Sequence, residues 1–315
     1  MQIVVLDGYC VNPGDVDWSP LKAFGTLSVY DRTHPDMVAQ RLRGADVAFV
    51  NKVKLNRDVL LSARNLKFIG VLATGYDVVD LAAARERGIT VTNVPAYSTE
   101  AVAQHAIALL LAACQHVELH ASLVKNGAWT AQPDFSWFQI APILLSGKTM
   151  GVIGCGRIGC RVAKIAEALG MRVIGANPHK KNGFVGEYVP LDTLFRESDV
   201  ISLHCPSKAD TVGLIRKDTI AKMKNGVILL NTARGSLVSE QDICDALKSG
   251  KIACYGTDVA SEEPISKSNP LLKAPNCLIT SHYAWTPKPM RQTIIDVSAD
   301  NLAAFLSGKP KNVVS

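Results

Sequence analysis

Three ionisable residues in the second half of the chain stand where a side chain could meet a ligand. Arg234 follows an apolar run that ends at Ala233, His282 follows Leu278–Thr280, and Glu263 lies in a loop. An arginine presents a planar fork of donors to a carboxylate or a carbonyl oxygen. A histidine beside a carboxylate is stabilised in its protonated form and can donate a proton near neutrality. These residue types indicate a site that binds a carboxylate or carbonyl group and moves a proton.

Each of the three residues also has a plainer explanation when it is taken alone. An arginine before a glycine is often a surface residue, and a histidine at a strand end is often structural. A glutamate in a loop is usually a solvated charge. The three residues therefore depend on the rest of the sequence for their interpretation.

A glycine-rich turn, Gly154–Gly159, reads Gly-Cys-Gly-Arg-Ile-Gly. It follows the apolar run Met150–Ile153 and leads into residues with helical periodicity, and a second strand-like run, Arg172–Ala176, ends at Asn177. In this context the glycines predict a dinucleotide site, with the phosphates at the N-terminus of the helix. The alternative is a strand–turn–helix with a structural role alone.

The elements that must position these residues alternate between strands and helices, which predicts an α/β fold with two doubly wound parallel sheets. Besides the two strands around the glycine turn, strands are predicted at Ile3–Leu6, Leu27–Tyr30, Val47–Val50, Phe68–Val71, Thr90–Thr92, Val200–His204, Val227–Asn231, Tyr255–Asp258 and Leu278–Thr280. Helices are predicted near Leu21, at Met37–Leu42, Val59–Ala63 and Val79–Arg87, as one long helix over 99–120, and after Trp285.

The order of these elements predicts two domains. We expect a Rossmann-type dinucleotide-binding domain over 98–286. The last helix is expected to return to the first part of the chain, so residues 1–97 and 287–315 would form a discontinuous, flavodoxin-like substrate-binding domain. Ligands favour domain interfaces and the carboxyl ends of parallel strands, so we expect the site in the cleft between the two domains.

Composition argues against several other classes of protein. The 315 residues are 48% apolar and 20% charged, with a net charge of +6 that is scattered along the chain, so nucleic-acid binding is not expected. The first residues lack the features of a signal peptide, and the most apolar helix is too short to span a bilayer. No membrane partner is therefore expected. The eight cysteines show neither metal-ligand nor disulfide spacing, which predicts a cytoplasmic protein with no metal site.

Seven motifs occur in the order found in the D-isomer-specific 2-hydroxyacid dehydrogenases, and the chain resembles that family from Met1 to its last helix. Any one motif is weak, but seven in order are highly specific. The Ala284-Trp285 pair is most similar to the glycerate dehydrogenase, or hydroxypyruvate reductase, branch. The motifs are Ala73–Asp80, Val102–His105, Gly154–Gly159, His204–Pro206, Leu230–Gly235, Gly256–Val259 with Glu263-Pro264, and Ser281–Trp285.

The resemblance implies an oxidoreductase that interconverts a small 2-oxo acid and its D-2-hydroxy acid, with hydroxypyruvate and D-glycerate, or glyoxylate, as substrates. Arg234 would hold the substrate's carboxylate and carbonyl oxygen, His282 would donate the proton, and Glu263 would orient His282. These three are the implied catalytic residues. The further substrate-binding residues would be Lys52, Ala73, Thr74, Gly75 and Trp285, although Trp285 is equally explained as a core aromatic.

The cofactor implied by the resemblance is NAD or NADP. Most NAD sites have a carboxylate where this chain has Asn177, and Lys180 and Lys181 follow closely, so the choice stays open with NAD slightly favoured. The implied cofactor contacts are Gly154, Gly156, Arg157, Ile158 and Gly159 at the pyrophosphate, Asn177 at the adenine ribose, His204, Cys205 and Pro206 beside the adenine, and Thr232, Asp258 and Ala284 near the nicotinamide, with Ala233 included.

Other activities on the same scaffold remain alternatives. A 3-phosphoglycerate dehydrogenase and a D-lactate-type dehydrogenase are alternatives within the family. A nucleotide-sensing, corepressor-like binding protein is the alternative from another class. Family members are commonly homodimers, and the apolar helix after Thr99 with the aromatic-rich segment 121–140 is the expected surface for a second copy of the chain. Internal packing of this segment is the alternative.

Overall fold

Twelve strands in parallel pairs form two separate sheets in the computed structural model, which describes residues 1–315. The strands are short runs rich in valine, isoleucine and leucine, as is typical of strands that are covered on both faces. They are β1 (Gln2–Val5), β2 (Thr26–Val29), β3 (Val47–Val50), β4 (Phe68–Val71), β5 (Thr90–Thr92), β6 (Thr149–Ile153), β7 (Arg172–Ala176), β8 (Glu187–Tyr188), β9 (Val200–Leu203), β10 (Val227–Asn231), β11 (Ile252–Thr257) and β12 (Cys277–Ile279).

Helices connect most successive strands, as parallel pairing requires. Short 3₁₀ turns also occur at Pro35–Met37, Gly235–Leu237 and Pro270–Lys273. The helices are α1 (Ser19–Lys22), α2 (Val38–Arg41), α3 (Arg57–Ser62), α4 (Leu81–Glu86), α5 (Thr99–Gln115), α6 (Val117–Lys125), α7 (Arg157–Ala168), α8 (Leu191–Glu197), α9 (Lys217–Ala221), α10 (Glu240–Lys248) and α11 (Lys288–Leu306).

The chain divides into two units, the first formed by Met1–Ser98 with Trp285–Ser315 and the second by Thr99–Ala284. In the first unit the strand order is β2-β1-β3-β4-β5, which is the flavodoxin-like order. Helix α11 packs against β4 and α1, and its Ile294 and Ile295 enter the same apolar core as Phe68. The last part of the chain thus completes the core of the first unit.

In the second unit the strand order is β12-β11-β10-β9-β6-β7-β8. Chain order runs outward in both directions from β6, so the topology reverses between β6 and β9. This is the doubly wound order of a Rossmann-type sheet, whose ligands bind at the carboxyl ends of the strands near the reversal. The predicted fold class, two doubly wound α/β sheets, is confirmed.

The predicted single helix over 99–120 is wrong. His116 has a φ of 47°, in the left-handed region, and separates α5 from α6, which are bent by 52°. The carbonyl of Cys114, near the end of α5, accepts the Ile143 N–H at 2.9 Å instead of continuing the helix. The break therefore coincides with a contact to a residue far along the chain.

The two-residue strand β8 is not predicted, because it is too short to carry an alternating pattern. No individual helix has the length and hydropathy needed to cross a bilayer, whereas the bent pair α5–α6 reaches them jointly.

Candidate functional site

The carboxyl edge of the seven-stranded sheet collects the residues that the sequence singles out in the second unit. Because the strands are parallel, the residues that follow each of them lie along one edge. These residues are Gly154 after β6, Asn177 after β7, His204 after β9, Arg234 after β10, Asp258 after β11 and His282 after β12.

The three glycines of the turn between β6 and α7 have different structural roles. Gly154 has a φ of 94°, and a Cβ there would lie 2.4 Å from the backbone nitrogen of Cys205. A Cβ on Gly159 would lie 2.2 Å from the carbonyl oxygen of Gly154, whereas one on Gly156 would meet nothing within 4 Å. Gly154 and Gly159 close the turn, and Gly156 leaves open space at the N-terminus of α7, where a pyrophosphate fits.

A cleft of about 390 Å³ lies beside this turn. Its lining includes Asn177, Cys205 and Pro206 together with the apolar side chains of Val189 and Leu214. An apolar cleft next to an anion-binding helix terminus suits the adenine and ribose of a dinucleotide. Further along the edge, the hydroxyl oxygen of Thr232 is buried without a hydrogen-bond partner in the protein, which leaves it for a bound group. The residues present therefore fit a nicotinamide dinucleotide.

The side chain of Asn177, directly after β7, makes two hydrogen bonds within the protein, one of them to the glycine turn. Its Oδ1 accepts the Cys155 N–H at 3.1 Å, and its Nδ2 donates to the carbonyl of His179 at 2.6 Å. A second cleft, of about 680 Å³, adjoins the glycine turn and is markedly cationic. The basic residues in its lining are Arg157, Arg161, Lys164 and Lys181.

Arg234 is held at the sheet edge by its neighbours in the β10 turn. Buried Asn231 accepts the Ala233 N–H at 3.1 Å and donates to the Arg234 carbonyl at 2.9 Å. The next residue must be glycine, because a Cβ on Gly235 would lie 2.0 Å from the carbonyl carbon of Ala260. This close approach brings the arginine turn against the loop that contains Glu263, while the Arg234 side chain is exposed.

Glu263 and His282 form a directly bonded pair. The Nδ1 atom of His282 lies 2.7 Å from Oε2 of Glu263, and the other carboxylate oxygen of Glu263 accepts the Ala260 N–H at 3.2 Å. The side chains are 28% and 36% exposed, so the pair is partly open to solvent. Because the carboxylate engages Nδ1, a proton that His282 transfers would be on Nε2.

The carboxylate of Asp258, which the sequence places near the nicotinamide, is already bonded within the protein. It is 2% exposed, and its carboxylate accepts the hydroxyl of Thr280 at 2.6 Å and the backbone N–H groups of Tyr283 and Ala284 at 3.1 and 2.9 Å. These donors lie on both sides of His282. Sequence reasoning missed this bonding, and Thr280 with it, since a strand-end threonine carries no distinctive pattern.

In the first unit, the predicted substrate-binding residues lie in neighbouring turns at one edge of the five-stranded sheet. Lys52 follows β3, and its backbone N–H donates to Asp7 at 2.5 Å. Thr74, in the turn after β4, donates its hydroxyl to the carbonyl of Val94 at 2.9 Å. Trp285 packs edge-on against Tyr97, with the ring centres 6.2 Å apart. The substrate roles of Lys52, Trp285 and the turn Ala73–Gly75 stay predictions.

The comparisons with known proteins cover the whole chain. The family described as D-isomer specific 2-hydroxyacid dehydrogenase, NAD binding domain, matches residues 107–284. A hydroxypyruvate reductase of Blautia hydrogenotrophica is 51% identical over 321 residues, covering all of both chains. A glycerate dehydrogenase of Methylorubrum extorquens is 41% identical over 282 residues, covering 89% of this chain and 88% of the relative.

A solved structure of a dehydrogenase is also similar to this chain over nearly its whole length. The D-lactate dehydrogenase of Aquifex aeolicus, complexed with NAD and lactic acid, superposes with a TM-score of 0.85 at 31% identity. The superposition covers 98% of this chain and 96% of that one.

One consequence of the site geometry concerns His204, whose burial lowers its pKa to about 4. An unfolded histidine titrates near 6.5, so between pH 6.5 and 4 the unfolded state binds the extra proton and the folded state loses stability as the pH falls. His204→Gln keeps a polar group near Ser202 but cannot titrate. Between pH 7 and pH 4 the unfolding free energy of the wild type should fall more than that of the variant, and the difference between the two losses should be up to about 3 kcal/mol. Denaturant titrations at both pH values measure it. Parallel losses in the wild type and the variant would contradict this assignment.

Proposed function

Because the chain belongs to the D-isomer-specific 2-hydroxyacid dehydrogenases, and so is a nicotinamide-dependent oxidoreductase, we propose that it interconverts hydroxypyruvate and D-glycerate. The observation that carries the proposal is the His282–Glu263 pair beside the Arg234 turn, at the sheet edge that also carries the glycine turn. The relatives named for hydroxypyruvate and glycerate, at 51% and 41% identity, support this choice of substrate.

In the direction of reduction, Arg234 would bind the carboxylate and carbonyl oxygen of the oxo acid and polarise the carbonyl group. Carbon 2 would receive a hydride, which is the chemistry that a reduced nicotinamide would supply when bound. His282 would transfer its Nε2 proton to the carbonyl oxygen, which becomes the hydroxyl group. Glu263 would hold the ring through Nδ1 and stabilise the charged form before the transfer. The pyrophosphate would be bound at the Gly156 end of α7.

The assay that tests the proposal follows the loss of reduced-nicotinamide absorbance with four oxo acids in parallel: hydroxypyruvate, glyoxylate, pyruvate and phosphohydroxypyruvate. We expect hydroxypyruvate to give the highest kcat/KM, with a kcat on the order of 1–1000 per second. A preference for pyruvate or phosphohydroxypyruvate would replace the proposal with one of the two other dehydrogenase activities. No turnover with any of the four acids would favour a nucleotide-sensing role.

Substitution of His282, the proposed proton donor, should affect kcat and leave dinucleotide binding nearly unchanged. We expect His282→Gln to lower kcat by about 10²–10⁴-fold while the dinucleotide Kd stays within about threefold, because the ring acts in proton transfer. Arg234→Ala should raise KM for the oxo acid as well as lower kcat. Steady-state kinetics and fluorescence titration measure these effects. His34→Gln, at a histidine that is 73% exposed in the first unit, is the matched control. Unchanged kinetics in either site variant would remove that residue from the mechanism.

The identity of residue 177 should affect the choice of dinucleotide. Asparagine lacks the negative charge that would repel a 2′-phosphate, and the neighbouring cleft presents Lys181 and Arg157. We expect Asn177→Asp to weaken NADPH binding by about tenfold or more and to change NADH binding by less than about threefold. Calorimetric titration measures both. Asn225→Asp, before β10 at the opposite edge of the sheet, is the control for added charge. Equal effects on the two dinucleotides would place Asn177 away from the ribose.

We also propose a homodimer formed through the segment 121–140. This segment exposes large apolar side chains, with Phe135 91% and Phe138 59% exposed, and such surfaces are usually covered by a partner.

The eight cysteines are unpaired, which supports a reducing, cytoplasmic location.

Sedimentation velocity at about 10 μM tests the dimer. We expect a mass of twice 33.8 kDa for the wild type and a monomer for Phe135→Asp/Phe138→Asp, because the added charges would be buried at the interface. Leu272→Asp, at a side chain 48% exposed elsewhere in the second unit, should stay dimeric. A monomeric wild type would end the proposal.

A further inference from the structure

The backbone at His282 is in an unfavourable conformation. Its φ is 54°, in the left-handed region that residues with a Cβ rarely adopt. Such a conformation persists only where the surroundings hold it. The position of the His282 ring therefore depends on whatever fixes the segment 280–284.

The fixed point of this segment is the buried carboxylate of Asp258, bonded to Thr280 on one side of His282 and to Tyr283 and Ala284 on the other. A further side chain reaches the same group from α5. His105 Nε2 lies 3.0 Å from the hydroxyl oxygen of Thr280 and 3.7 Å from Oδ1 of Asp258. The His105 side chain is 13% exposed.

The protons of this group can be assigned by counting donors. The hydroxyl of Thr280 has one hydrogen, and its shortest contact, 2.6 Å, is to the Asp258 carboxylate, which is acceptor-only when ionised. With that hydrogen committed, the Thr280 oxygen can only accept from His105. Nε2 of His105 must therefore carry a proton, and the chain of donors runs from His105 through Thr280 to Asp258.

His105 also contacts the other side of the strained residue. Its ring meets the ring of Tyr283 edge-on, with the centres 4.9 Å apart. Helix α5, which carries His105, packs against β10, β11 and α7 and is anchored by buried side chains such as Leu109 and Leu110. His105 thus links Thr280 and Tyr283, on the two sides of His282, to a helix that is packed in the core of the second unit.

We propose that His105 is a positioning residue for His282. By donating to Thr280 it fixes the Thr280–Asp258 bond, and with it the turn that aims Nδ1 of His282 at Glu263. The proposal rests on the proposed function of His282 as the proton donor. In this role His105 acts through Thr280 and Asp258 and transfers no proton itself, so its effect should appear in the rate of the reaction and not in the binding of the dinucleotide.

Two substitutions at position 105 separate the hydrogen bond from the packing of the ring. His105→Gln keeps a donor at the reach of Nε2, and His105→Leu fills the space without a donor. We expect His105→Leu to lower kcat and kcat/KM for hydroxypyruvate by about tenfold or more, and His105→Gln to stay within about threefold of the wild type. The dinucleotide Kd should stay within about threefold in both variants. Equal losses in both variants, or no loss in His105→Leu, would overturn the proposal.

A second variant tests the pathway without changing His105. Thr280→Val removes the hydroxyl at nearly constant volume, so it should reproduce the loss seen in His105→Leu. Since both changes break one chain of bonds, the double variant should lose little more than either single variant. Additive losses would mean that the two residues act independently, against the proposal.

The position of the ring protons is read independently of turnover. Two-bond ¹H–¹⁵N correlation spectra of the histidine rings, recorded at about pH 9 where ordinary histidines are neutral, report the tautomer of each ring. We expect His282, assigned with His282→Gln, to hold its proton on Nδ1 in the wild type and in His105→Gln, and to show a mixture in His105→Leu. An unchanged tautomer in His105→Leu would overturn the proposal. If the wild type reduces no 2-oxo acid, the proposed function fails, and these spectra still decide the positioning role.

Discussion

One buried carboxylate holds the turn on which the proposed chemistry depends. Asp258 directly follows β11, is buried, and accepts hydrogen bonds from Thr280, Tyr283 and Ala284. A carboxylate with 2% exposure is costly to bury unless it is fully bonded, so the turn after β12 and the Asp258 side chain stabilise one another. His282 keeps its left-handed backbone within this turn and meets Glu263 at 2.7 Å.

A second constraint is the close approach of backbone segments along the sheet edge. Gly154 lies against the His204–Cys205 backbone, and Gly235 lies against Ala260. Neither position has room for a Cβ atom, so the turn after β6 is held against the turn after β9, and the turn after β10 against the turn after β11. Gly156 differs from both because nothing occupies the space that its side chain would fill. The same edge therefore combines rigid turns with one open position at the N-terminus of α7, which suits a dinucleotide pyrophosphate.

Much of this arrangement could be predicted from local patterns. The strands Val47–Val50 and Arg172–Ala176 were predictable because short, mainly apolar runs are typical of buried parallel strands. The order of the motifs placed Arg234, Glu263 and His282 after strands of one sheet. The break at His116 could not be predicted in this way, because no local pattern marks it and the Cys114 carbonyl there accepts a hydrogen bond from the distant Ile143.

The bonding of Asp258 was equally inaccessible to sequence reasoning. Its partner Thr280 is 22 residues away, and the backbone donors of Tyr283 and Ala284 leave no mark on residue type. The interpretation of Asp258 from its motif was a contact near the nicotinamide, and the structure adds internal bonds to both carboxylate oxygens. Such tertiary contacts determine orientation, whereas the motifs determine only which residues share an edge.

The most direct test of the account is the configuration of the product. Hydroxypyruvate and reduced dinucleotide would be incubated with the enzyme, and the glycerate formed would be resolved on a chiral column and compared with the dinucleotide oxidised. If the chain catalyses the proposed reaction, the product is D-glycerate alone, one molecule for each dinucleotide oxidised. L-Glycerate, a racemic mixture, or oxidation of the dinucleotide without glycerate would contradict it.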